Sequence, residues 1–103
     1  MRQVRILECA AEEASEAAGW YESRQAGLGK KFYKALDHAI SLIEENLVAM
    51  FPWNGKAGLL GAYHLPLYRF PYSIIALEHD DQLVVVAVAH HSRKPGYWTG
   101  REC

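Results

Sequence analysis

The residues best suited to chemistry lie in two short runs, Tyr68-Arg69-Phe70-Pro71-Tyr72 and His90-His91-Ser92-Arg93-Lys94-Pro95-Gly96-Tyr97-Trp98. Guanidinium and ammonium groups bind phosphate, and histidine exchanges a proton near neutral pH. A cluster of Arg69, one of the two histidines, Arg93, Lys94 and Tyr97 would therefore suit a phosphodiester. Metal-free RNA cleavage needs a base for the 2′-hydroxyl proton, cations for the charge developing on phosphorus, and an acid for the leaving oxygen. The same composition also describes the solvated end of a strand and a basic tail, because charged residues beyond a strand are usually just exposed.

A hairpin would bring the two runs together. If Asp80-Asp81 form a two-residue loop, Arg69 stands opposite Ser92, Pro71 stands opposite His90, and Arg69 shares a face with His90. A three-residue loop slips the register by one and sets Arg69 with His91 instead. The residues leave both registers open. His90 and His91 are adjacent in an expected strand and point to opposite faces, so they do not easily clasp one ion together. His38, on an expected helix, has only its neighbour Asp37 nearby. The chain has no P-loop, GxGxxG turn, GxSxG elbow or HExxH pair, and neither metal nor cofactor is expected.

The hydrophobic period changes halfway along the chain, with helices first and strands after. Residues 3 to 8 read as a short edge strand. From Ala10 to Arg24, Ala10, Ala14, Ala17, Ala18 and Tyr21 recur at helical spacing, with Glu12, Glu13, Glu16 and Ser23 on the opposite face. Gly27 and Gly29 interrupt that pattern. Leu28, Phe32, Ala35, Leu36, Ala39 and Ile43 then make a broader stripe as far as Glu45, so an αα-hairpin is predicted. Within it, Trp20 and Tyr21 read as packing residues. Pro52, Asn54-Gly55, Gly58 and Gly61 mark a loop over residues 50 to 61, with Trp53 expected to pin it to the body. Strands are predicted at 62–67, 69–78 and 83–90. The unbroken run from Leu83 to Ala89 predicts a central strand covered on both faces. The helices can cover one face; the C-terminal tail, the Trp53 loop or a partner must cover the other.

With 103 residues, half of them hydrophobic and 22% charged, residues 1–103 read as one globular domain. Eleven Lys and Arg against twelve Asp and Glu give a net charge of −1. That balance does not attract nucleic acid through the overall field, and any such role must rest on a local patch. Charges interrupt the first residues and no apolar run approaches membrane-spanning length, so a cytoplasmic protein with no membrane partner is expected. Cys9 and Cys103 have no metal-type spacing and are read as free thiols.

The helical hairpin with Gly19-Trp20-Tyr21 and Gly27-Leu28-Gly29-Lys30-Lys31-Phe32, followed by Arg69-Phe70-Pro71-Tyr72 and by Ala89-His90-His91-Ser92-Arg93-Lys94-Pro95-Gly96-Tyr97-Trp98, resembles the RelE/ParE superfamily of bacterial toxins. The paired segments resemble the ParE-like, plasmid-stabilisation branch more than the RelE branch. The resemblance implies an α+β fold with a short N-terminal strand and a helical hairpin packed on one face of a small antiparallel sheet. It also implies the toxin half of a type II toxin–antitoxin module, neutralised by a cognate antitoxin, that inhibits growth by poisoning DNA gyrase. Its target contacts would then be His90, Arg93, Lys94, Tyr97 and Trp98, with no catalytic residue. Alternatives are a ribosome-dependent mRNA endonuclease using Arg69, His91 and Tyr97, or a toxin-fold protein with another target or no remaining activity. The chain departs from the ribonuclease branch in having Tyr63 and His64 where basic residues often precede the Arg-Phe-Pro-Tyr strand, and in its net acidic charge.

Overall fold

The change of hydrophobic period becomes a division into two helices and a five-stranded sheet in the computed structural model, which describes residues 3–45, 51–52, 62–94 and 96–101. The elements in chain order are β1 (Val4–Ile6), α1 (Glu8–Arg24), α2 (Leu28–Glu44), β2 (Phe51–Pro52), β3 (Ala62–Pro66), β4 (Tyr72–His79) and β5 (Gln82–His90). Trp53 and Cys103 lie outside the described residues. So does the loop expected over 50–61, apart from Phe51–Pro52, whose backbone pairs with β3 as a short edge strand. No helix among the described residues is long and apolar enough to cross a membrane.

The sheet order is β1-β5-β4-β3-β2. Pairing from β2 to β5 is antiparallel, as expected, whereas β1 lies parallel to β5, Val4 opposite Leu83. The sheet is thus mixed. A strand at the start of the chain reaches the far edge of the last one only by a crossover, which the two helices provide.

The helical hairpin matches its apolar stripes. Ala10, Ala14, Ala17 and Ala18 of α1 are buried, and so are Phe32, Leu36, Ala39 and Ile43 of α2. The small α1 side chains let α2 approach closely. A Cβ at Gly29 would stand 2.8 Å from the Ala18 carbonyl oxygen, and Gly27 takes φ +91° to turn the chain. Phe32 is fully buried within a ring cluster, 5.2 Å from Phe70 and 5.3 Å from Tyr72 between centroids, with Tyr21 stacked at 5.8 Å. The expected packing role of Tyr21 holds, while Trp20 is 53% exposed.

The β4–β5 turn resolves the register. Asp80 and Asp81 both have positive φ, and His79 pairs with Gln82, as in a two-residue loop. Pairing follows that register as far as Ala76 with Val85 and then shifts to Ile75 with Ala87, leaving Val86 as a bulge. Beyond it the pairing is the one a three-residue loop would give, Tyr72 opposite His90. Both registers are therefore present, one on each side of the bulge. The bulge also turns Val86 and Ala87 to the same face of the sheet.

Two apolar layers result. Leu65, Ile74, Ala76, Leu83, Val85 and Val88 pack under the helices. Leu7, Ala62, Ile75, Val86, Ala87 and Ala89 pack on the other face beneath Trp98, which is 2% exposed. The C-terminal tail is what covers the second face of the central strand.

Candidate functional site

The end of β5 separates two clefts. His90 and His91 leave the strand in opposite directions. The His90 ring meets Tyr72 edge-on at 5.0 Å on the helical side. On the other side His91 Nε2 is 2.8 Å from Ser73 Oγ, and the backbone N–H of His91 donates to Pro71 O at 2.8 Å, which holds the residue at the strand end. Ser92 donates its backbone N–H to His90 Nδ1 at 2.9 Å and closes the turn.

The cleft on the second face has a volume of about 570 Å³ and is lined by His64, Ser73, His91, Arg93, Lys94 and Trp98 among others. Ser73 is the only buried polar residue among those described. Burial first, and then the neighbouring His91, hold the His64 imidazole below its ordinary pKa of 6.5. Two imidazoles and a hydroxyl beside two exposed cations form an anion-binding arrangement with proton-transfer capacity.

The second cleft, of about 530 Å³, lies between α1 and the turn that follows β5. Its walls include Glu13, Glu16, Trp20, Tyr72, His90, Arg93 and Tyr97. Its floor is a network centred on Glu13. That carboxylate accepts the Tyr97 hydroxyl at 2.7 Å, Arg101 Nη1 and Nη2 at 2.8 and 3.1 Å, and the backbone N–H of Val88 at 3.1 Å. Arg101 also donates to Val86 O at 3.0 Å. These contacts satisfy groups on the edge of β5 beyond the point where β1 stops pairing with it.

Burial pulls the Glu13 pKa upward, but its bonds from Arg101, Tyr97 and Val88 outweigh that, and the net shift is below the ordinary 4.5. Burial first, and then the bond to Glu13 and its charge, push the Tyr97 phenol well above its usual range. Tyr97 is therefore a fixed, protonated donor at neutral pH. The Arg93 guanidinium lies 4.0 Å above its ring.

The three catalytic candidates are not brought together. Tyr97 and His91 flank the first cleft, but Arg69 is elsewhere. The strand expected from Arg69 begins at Tyr72, and Arg69 stands in the preceding turn at φ +69°. The left-handed residue breaks the alternation on which the pairing with His90 or His91 depended. Arg69 instead lines a trough of about 880 Å³ against α2, with Lys31, Lys34 and His38 at its edge. Of the target contacts, His90, Arg93, Lys94 and Tyr97 border the clefts, and Trp98 backs the first cleft from the core, almost fully buried.

Glu13, His64, Ser73 and Arg101 are the residues that sequence reasoning did not single out. Glu13 was expected on the solvent face of α1, but the bulge at Val86 and the returning tail enclose it. His64 had a signal, an imidazole in an otherwise apolar strand. Cys9 is disulfide-bonded, which corrects the reading of a free thiol. That reading rested on compartment, and nothing in the sequence shows the tail folding back to α1.

No protein-family model matches the chain, and no curated protein sequence matches it. Its fold is similar to that of a chain in a structure described as "Chromosomal ParDE TA system from P. aeruginosa", with TM-score 0.68, 16% identity, and coverage of 87% of this chain and 96% of that one. The likeness supports the expected architecture, a helical hairpin on one face of the sheet.

Proposed function

We propose that this chain is the toxin of a type II toxin–antitoxin, plasmid-stabilisation module, that a cognate antitoxin neutralises it in the cytoplasm, and that it acts by binding and poisoning DNA gyrase. The fold likeness and the quoted motifs support the toxin reading. The observation that carries the mode of action is the separation of Arg69 from His91 and Tyr97, with Tyr97 already committed to Glu13. A phenol held protonated by a carboxylate is a poor proton shuttle, and a cation across the sheet cannot stabilise charge at His91. The residues at the end of β5 then serve as a contact surface. The trough along α2, apolar at its floor and edged by Lys31, Lys34 and Arg69, is suited to an antitoxin helix with acidic flanks.

The test is a purified gyrase reaction on supercoiled DNA with ATP and increasing amounts of the protein, scored for DNA left cleaved after denaturation. Accumulating linear DNA is expected. Undisturbed supercoiling at excess protein would remove gyrase as the target. The cluster of His64, Ser73 and His91 favours a second reading, a metal-free endoribonuclease acting on ribosome-bound mRNA without Arg69. Intact transcripts in arrested cells would count against it.

A further inference from the structure

The two clefts share a rim. His90, Arg93 and Tyr97 line both, so the basic side of one continues into the aromatic side of the other. At that rim Arg93 is held in place by stacking on Tyr97, whose hydroxyl is itself anchored to Glu13. Neither Arg93 nor Lys94 has an ion-pair partner among the described residues, and both are exposed. A guanidinium fixed through its face keeps its N–H edge free for a phosphate. His91 stands beside them in the first cleft. Across the second cleft Trp20 presents an exposed indole, with Arg24 4.6 Å over its ring.

Cations along one side and ring surfaces along the other are the two parts of a single-strand nucleic-acid site: the backbone follows the charge and bases stack on the rings. Glu13 and Glu16 set the α1 wall of the cleft. A duplex laid here would bring its second phosphate backbone against the exposed Glu16, Glu13 being paired with Arg101, whereas a single strand keeps its phosphates on the cationic side. We propose that this rim binds single-stranded DNA, with phosphates on Arg93, Lys94 and His91 and a base between Trp20 and His90. The choice of DNA rests on the gyrase reading above: a poison acting where gyrase has cut its DNA would touch the opened strand itself. The net charge of −1 makes the attraction local, so a short contact is expected rather than a long track.

The experiment is fluorescence anisotropy of the full chain with end-labelled oligothymidylate of about ten nucleotides, matched oligouridylate, and a duplex of the same length. Oligothymidylate should bind, with an affinity falling as salt rises and a log–log slope of about −1.4 for the two phosphates that Arg93 and Lys94 neutralise. The duplex should bind more weakly. Lys94→Ala and Trp20→Ala, both surface changes checked by unaltered thermal melting, should each weaken binding by about tenfold. No binding at about 50 mM salt, binding unchanged in both variants, or binding of oligouridylate alone would overturn the proposal. The gyrase reaction run on the same proteins separates the two readings. DNA cleavage without oligonucleotide binding removes the DNA contact and keeps the gyrase target; oligonucleotide binding without cleavage removes the target and keeps the contact.

Discussion

Glu13 is the residue on which the tail depends. Its carboxylate and the Arg101 guanidinium retain only 18% and 21% of their exposure, so the pair is screened less than a surface salt bridge. Glu13→Ala leaves the Val88 N–H without its acceptor and Arg101 without its counter-charge, and should cost about 2 kcal/mol in chemical denaturation. Because its folded pKa lies below 4.5, its contribution is complete above that value and is lost as pH falls through the folded one. Wild type should therefore lose stability on acidification in a step that Glu13→Gln lacks. Parallel acid profiles of the melting temperature would contradict this. Tyr97→Phe removes one bond to Glu13 and should cost about 1 kcal/mol. Under the binding mode proposed, toxicity in a growth assay should survive that change, whereas an acid–base tyrosine would not tolerate it. Arg69, His91 and Tyr97 were all legible as candidates from residue type. The separation of Arg69 from the other two was not, because it follows from one left-handed residue and one bulge.

The helical hairpin is the element the sequence describes best, since small residues at helical spacing and two glycines fix both its stripe and its turn. The two glycines act differently. Gly27 supplies a positive φ, while Gly29 supplies room against the Ala18 carbonyl, so Gly29→Ala should push the helices apart at a cost of about 2 kcal/mol, read by thermal melting. The α2 N-terminus has no capping side chain of its own. Glu22 of α1 caps it across the turn, accepting the backbone N–H groups of Gly27 and Gly29 at 3.0 Å. Glu22→Ala should speed amide exchange at those two positions while leaving the centre of α2 protected; unchanged exchange would show that the cap is dispensable. Sheet boundaries were less legible. Tyr68 to Pro71 has the composition of a strand, yet positive φ at Arg69 makes it a turn, and the parallel pairing of β1 depends on a partner almost eighty residues away.

At the scale of the molecule the tail closes the second core. Trp98 lies over Ile75, Val86 and Ala87, so Trp98→Ala should cost about 4 kcal/mol and expose dye-binding apolar surface. Deleting residues 93–101 would do the same and also remove Arg101. Loss of toxicity on that deletion would therefore report folding as much as contact, and Lys94→Ala, at an exposed residue, is the cleaner probe of the surface.

The sequence by itself determined the order of helices and strands, the central position of β5 and the concentration of polar chemistry at its end. Those features follow from local periodicity and residue type. Only the tertiary structure decided which polar groups meet. A single unpaired residue at Val86 reversed the facing of the β5 end, a turn carried Arg69 to the α2 side, and the returning tail made Glu13 an interior anchor. Each is a difference of one residue in register or one dihedral angle, smaller than any pattern of hydrophobicity can resolve, and each acts across elements distant in the chain.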